Sequence, residues 1–207
     1  MQNPTSINYS HFYNGLGPSE ISTVNRQIFH LNNAFFINQA PTSNPEFYQS
    51  TAQNPHLRDA ARCLLKNSDQ QIYLLYSKAR DYYAIPGGGI ETNEALIEAL
   101  RRETLEETGF SLKHPKPIGK IYEERNNRIT HTYFFSAEAD QFLGTNYMED
   151  EIEEDYQLVW LSISDALLAF QNHYHKLKSR GFDSYKGSFI VARYLKTLEF
   201  VSNLQNF

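Results

Sequence analysis

The stretch from Pro86 to Phe110, PGGGIETNEALIEALRRETLEETGF, constrains this chain more than any other. Gly87, Gly88 and Gly89 permit positive φ and let a backbone come close to a ligand. The residues after them read as a helix of about four turns at ~3.6 residues each. Asn93 stands where an N-cap belongs, and Gly109 where a glycine ends a helix. Leu96 and Leu100 start a core-facing stripe that continues into Glu103 and Glu107, with Glu106 beside them. Like charges at these spacings destabilise a helix, and acids at its C-terminal end oppose the macrodipole. A bound cation removes both penalties, and a hard cation such as Mg²⁺ takes oxygen ligands while keeping waters for substrate phosphates. The competing reading is a solvated acidic helix end in which Glu98 and Arg102 pair at i, i+4.

Gly88, Glu94 and the run Arg102-Glu103-Thr104-Leu105-Glu106-Glu107-Thr108-Gly109-Phe110 resemble the box of the Nudix hydrolases, G-x5-E-x7-R-E-U-x-E-E-x-G-U. The departure is Thr104, where the family has a bulky residue at a packing position. The resemblance spans about residues 57–170 in pattern, with the box as its specific part. It implies an α/β fold, a Nudix-type α/β/α sandwich around a mixed β-sheet. It also implies hydrolysis of a nucleoside diphosphate linked to another moiety, nucleoside triphosphates being the default by elimination. Mg²⁺ or Mn²⁺ is the implied cofactor. Carried over position by position, Glu103, Glu106 and Glu107 hold the metal, and the Gly87 carbonyl adds a ligand. Arg102 joins these acids in the catalytic set by orienting them, while Glu94 and Gly88 hold the turn and helix together. The general base is Glu103 or a loop glutamate. A nucleotide or ADP-ribose binding module without turnover is the alternative, and an isomerase on the same fold is a third; an intact box counts against both.

With 207 residues, 41% of them hydrophobic and 14% aromatic, the chain suits one large domain or a domain with an extension. A net charge of −5 argues against a general nucleic-acid surface, which needs a basic face. Cys63 is the only cysteine, so no intrachain disulfide forms, in keeping with a reducing compartment. The start MQNPTSINYS has no basic or apolar leader pattern, and no stretch reaches the ~20 apolar residues of a membrane span. The expectation is a cytoplasmic protein acting on a small-molecule nucleotide, with no nucleic-acid or membrane partner and a homodimer left open.

Residues 1–56 are rich in Asn, Gln, Ser and Thr and read as an N-terminal extension, partly helical, ahead of a hydrolase domain over 57–207. Ile21, Val24, Ile28, Leu31 and Phe35 fall at spacings of three and four, which predicts one amphipathic helix from Ser19 to Phe36. The extension packs on the main domain or a second subunit, or serves as a specificity lid. Arg58 to Lys66 and Gln71 to Lys78 flank Asn67-Ser68-Asp69-Gln70 as a hairpin, with Cys63 in the core. Tyr82 to Ile85 predicts a short strand that aims the glycine turn. Lys113 to Pro117 reads as a loop. Ile118 to Glu124 and Ile129 to Ala137 form a second hairpin, at whose tip Arg125 and Arg128 read as solvated charges or as phosphate ligands. Residues 148–155 are an acidic run before a strand, Gln157 to Leu161. By the family resemblance this run supplies a further metal ligand or base, best matched by Glu154, with Glu151 and Glu153 as rivals. Helices follow over Ser164 to Tyr174 and Gly187 to Val201. His173 and His175 form an HxH pair that diverges on a helix and lacks a third ligand. Substrate-binding residues are not legible.

Overall fold

The computed structural model describes residues 9–78, 81–144 and 156–204. In chain order the helices are α1 (Tyr9–Phe12), α2 (Pro18–Asn25), α3 (Asn33–Ile37), α4 (Leu96–Thr108), α5 (Ile163–Ser179) and α6 (Tyr185–Ser202). The strands are β1 (Gln27–Leu31), β2 (His56–Lys66), β3 (Ile72–Ser77), β4 (Tyr82–Ala84), β5 (Gly87–Gly89), β6 (Phe110–Arg125), β7 (Arg128–Phe142) and β8 (Tyr156–Leu161). They form one mixed sheet in the order β1-β6-β7-β2-β3-β4, with β5 paired to β2 and β8 to β3. The β1–β6 and β2–β7 pairs are parallel, and the other pairs are antiparallel. Among the described residues no helix is long and apolar enough to cross a membrane.

Successive residues of the central strands feed opposite cores, as the pleat requires. Ala61, Cys63, Leu65, Tyr133 and Phe135 pack with Val24, Leu96 and Leu100 on the face covered by α2 and α4. Leu64, Leu74 and Phe134 pack with Phe36, Phe170, Phe189 and Leu198 on the face covered by α3, α5 and α6. Each such Leu or Phe contributes about 1.5–3 kcal/mol by leaving water. The two-sided burial explains the continuous apolar runs in β2 and β3 and gives the α/β/α sandwich. Cys63 is fully buried, and burial pushes its thiol up to about 12, so it is a core residue.

Three sequence expectations are corrected. The single helix over Ser19–Phe36 is instead α2, β1 and α3. Gln27–Leu31 pairs in parallel with Lys120–Glu123, and this long-range ladder overrides the local helical spacing. The crossing is close: a Cβ on Gly119, at φ 151°, would lie 2.7 Å from the Arg26 carbonyl oxygen. Asn32 then caps α3 by accepting the Phe35 N–H at 3.0 Å. Asn93 is not the N-cap of α4; it sits at φ 65° in the preceding turn, and Ala95 is the cap, its N–H donated to Glu98 Oε2 at 3.0 Å. Finally, Lys113–Pro117 belongs to β6, with its register against β7 shifting there. Pro115 and Pro117 fall at these register shifts, and a bulge is where a strand tolerates a residue with no N–H to donate.

Candidate active site

The glycine turn is bound to β2 as strand β5, Gly87 opposite Arg62 and Gly89 opposite Ala60. Gly87 has φ 126°, and a Cβ there would lie 2.1 Å from the Ala61 carbonyl oxygen. A Cβ on Gly88 would lie 2.1 Å from Glu103 Oε2. The missing side chains are therefore what lets β5 lie against β2 on one side and the helix acids on the other. Gly109 ends α4 in the left-handed region at φ 75°.

Arg102 organises the acids. Its Nε and Nη2 donate to the two oxygens of Glu94 at 2.8 and 2.9 Å. Nη1 donates to Glu103 Oε1 at 2.8 Å and Glu106 Oε2 at 3.3 Å, and Nη2 also reaches the Gly89 carbonyl at 3.1 Å. The Glu94 hydrogen bonds hold the guanidinium above its ordinary range. In return Arg102 holds the Glu94 carboxyl below the usual carboxylate range. The Glu98–Arg102 pair of the competing reading does not form, because Glu98 turns back to the Ala95 N–H. Glu107 is 9% exposed and accepts the Gly87 N–H at 2.6 Å. The like-charge conflict at the end of α4 is thus met by one guanidinium and one backbone amide.

The chemistry of this set suits a hard cation: carboxylate oxygens from Glu103, Glu106 and Glu107, drawn together beside a backbone with no Cβ in the way. Among the described residues no three His, Cys, Asp or Glu side chains already form a ligand sphere; Glu103 and Glu106 are turned to Arg102, and Glu107 to Gly87. Glu151, Glu153 and Glu154 lie outside the described residues. His173 faces the Tyr82 ring at 6.5 Å, and burial lowers its pKa.

Glu107 lies on the wall of a cavity of about 620 Å³ between the sheet and the α5–α6 pair. β2 supplies Arg58 and Arg62, the β6–β7 hairpin Arg125 and Arg128, the end of α5 Lys176 and Arg180, and α6 Lys186 and Arg193. Against them stand Asp81, Glu107 and Asp183. The excess of cations suits an anionic ligand. The reading of Arg125 as a solvated hairpin-tip charge is corrected: its side chain is only 12% exposed and donates to the fully buried Glu123 at 3.2 Å. Sequence reading missed the rest of this wall. The available signals were Arg58 and Arg62, four apart and so on one face of a strand, and Arg193 within a largely apolar helix.

The NUDIX domain family model matches residues 56–180. Diphosphoinositol polyphosphate phosphohydrolase 3-alpha of Mus musculus is 30% identical over 138 residues, 66% of this chain and 77% of its own length. The uncharacterized Nudix hydrolase YvcI of Bacillus subtilis (strain 168) is 27% identical over 113 residues, 53% of this chain and 69% of its own. Among solved structures, the MutT protein from Methanosarcina mazei Go1 overlays with a TM-score of 0.43 at 20% identity, over 65% of this chain and 100% of its own.

Proposed function

This chain belongs to the Nudix family, hydrolases that act on phosphoanhydride bonds, and on that premise we propose that it cleaves a small-molecule diphosphate with Mg²⁺ or Mn²⁺ held by Glu103, Glu106 and Glu107. The single observation that carries the reading is the position of Glu107, at once part of the box and on the wall of the basic cavity. A nucleoside diphosphate derivative is the substrate class implied by the box. A diphosphoinositol polyphosphate is the class named for the mouse relative. The division into an extension over 1–56 and a hydrolase domain over 57–207 belongs to the same proposal, supported by the start of the family match at residue 56.

Phosphoryl transfer asks a protein for positioning and charge neutralisation. Here the chain positions its acids in two ways. Arg102, itself clamped by Glu94 and the Gly89 carbonyl, fixes Glu103 and Glu106; the Gly87 N–H fixes Glu107. The Gly87 carbonyl is offered as a further oxygen. When bound, the metal neutralises charge accumulating on the phosphate oxygens. Glu103 or a glutamate of the acidic run, Glu154 first among them, takes the proton from the attacking water. The cationic wall holds the phosphates in place. The test is phosphate release from a panel of nucleotides and inositol pyrophosphates. Activity should be abolished by EDTA and restored by Mg²⁺ or Mn²⁺; full turnover in EDTA rules the mechanism out.

A further inference from the structure

Two loops on the cavity wall are held by one segment that does not itself line the cavity. The tip of the β6–β7 hairpin contributes Arg125 and Arg128, and the junction of α5 and α6 contributes Arg180, Asp183 and Ser184. Among the described residues the wall starts at Arg58 in chain order, so residues 33–52 stand behind it. The Asn, Gln and Ser side chains that set this region apart in composition reach out to both loops. At the hairpin, Asn33 Nδ2 donates to Asn126 Oδ1 at 2.9 Å and to the Gln49 carbonyl at 3.0 Å. Asn126 Nδ2 donates to the Glu46 carbonyl at 2.8 Å and to Gln49 Oε1 at 3.1 Å. The Tyr185 hydroxyl sits within hydrogen-bond distance of both Asn33 Oδ1 and Asn126 Oδ1, at 2.8 and 2.9 Å. The backbone joins in: the Ala52 N–H donates to the Asn126 carbonyl at 2.6 Å, and the His56 N–H to the Asn127 carbonyl at 2.8 Å.

The same segment holds the second loop. The Ser43 N–H donates to the Gly181 carbonyl at 2.8 Å, Ser43 Oγ to the Arg180 carbonyl at 3.1 Å, and Asn44 Nδ2 to the Asp183 carbonyl at 3.2 Å. The approach is close: a Cβ on Gly181, at φ 65°, would lie 3.1 Å from the Pro41 carbonyl oxygen. Beneath these bonds the fully buried Phe182 ring meets Phe36 at 5.1 Å and Phe47 at 6.2 Å.

Neither loop has the shape its own sequence favours. A two-residue hairpin turn ordinarily takes positive φ at one or both central residues, which matches the twist of its strands. Arg125 pairs with Arg128 across Asn126 and Asn127, yet neither asparagine is at positive φ. In the other loop Phe182 stands at φ 51°, a left-handed conformation that a bulky residue keeps only where its surroundings impose it. Covering the core takes only the Phe36 and Phe47 rings; hydrogen bonds to the tips of two loops add nothing to that burial. We infer that residues 33–52 form a brace that fixes the spacing of these loops, with Asn33, Ser43, Asn44 and Asn126 as positioning residues for the ligand in the cavity. Through them the brace sets where Arg125 and Arg128 on one side, and Arg180 on the other, meet that ligand. The inference rests on the reading above in which the cavity holds the phosphates.

The test is isothermal titration with imidodiphosphate in EDTA at fixed ionic strength. Its P–N–P bridge keeps the charge of a diphosphate and resists hydrolysis, so binding is read without turnover. Asn33→Ala loosens the hairpin side, and Ser43→Ala combined with Asn44→Ala loosens the helix side. Asn67→Ala is the control. It removes the side chain that accepts the Asp69 and Gln71 N–H groups in the β2–β3 turn, each at 3.0 Å, and Asn67 lines no part of the cavity. All three proteins should unfold somewhat earlier than the wild type. Only the two brace variants should lose affinity, each by about three- to tenfold. Either brace variant binding like the wild type, or an equal loss in Asn67→Ala, overturns the inference and leaves the hydrolase reading standing. A wild-type protein that does not bind imidodiphosphate removes the reading of the cavity, and the brace's role with it. Lost affinity in the brace variants of a protein that hydrolyses nothing keeps the brace and removes the hydrolase reading.

Discussion

Arg102 holds both carboxylate oxygens of Glu94, at 2.8 Å from Nε and 2.9 Å from Nη2. That grip joins the glycine turn to the middle of α4, because Glu94 also accepts the Glu91 N–H at 2.9 Å. It leaves Nη1 to reach the two acids at the other end of the arginine's fork. A residue whose sequence neighbours suggest a simple helix pair is therefore the link between the turn and the candidate metal ligands.

The grip has a pH signature. Arg102 depresses the Glu94 carboxyl in the folded state, so its stabilisation is complete above the unfolded value of ~4.3. It is lost as pH falls from there through the lower folded value. Glu94→Gln should lower stability by roughly 1.5–3 kcal/mol at neutral pH, the range for hydrogen bonds to charged groups. The gap to wild type should close in acid. Thermal unfolding of both proteins across pH checks this, and a gap that stays constant to low pH refutes it.

Glu107→Gln should cut kcat by roughly 10²–10⁴, taking the scale of general acid–base effects. Its amide oxygen still accepts the Gly87 N–H, so the thermal midpoint should stay near the wild-type value. Near-normal turnover in a phosphate-release assay would show that Glu107 is outside the machinery.

The neighbouring glycines should fail differently. In Gly88→Ala the new Cβ meets a carboxylate, 2.1 Å from Glu103 Oε2, and the side chain moves aside. Activity should fall far more than stability. In Gly87→Ala the Cβ meets backbone, 2.1 Å from the Ala61 carbonyl oxygen, at φ 126°. Strain of order 1–3 kcal/mol adds to that clash, and the protein should unfold earlier. Denaturant titrations beside kinetics separate the two; equal destabilisation would count against the geometry.

Arg193→Met leaves the fully buried Glu123 to Arg125 alone and should destabilise by at most roughly 3–5 kcal/mol, the cost of breaking a buried pair outright. Adding Glu123→Gln removes that charge and should recover part of the loss. A double-mutant cycle measures the coupling, and additive effects would mean that the pair is not coupled.

The box was legible in the sequence because its geometry is short-range. A glycine turn, a helix of ~3.6 residues per turn and a glycine stop bring Glu103, Glu106 and Glu107 beside Gly87 and Gly88 without help from distant residues. The hairpins and the two-sided core were legible for the same reason, in alternating and continuous apolar runs. Tertiary structure decided whatever depends on residues far apart. Gln27–Leu31 is a strand rather than helix because β6 offers it a ladder more than ninety residues later in the chain. Arg102 prefers Glu94 to Glu98 because the turn folds back over α4. The basic wall, assembled from Arg58 to Arg193, has no local pattern at all: a chain with net charge −5 gathers its cations at one cavity only when the sheet and the C-terminal helix close around it.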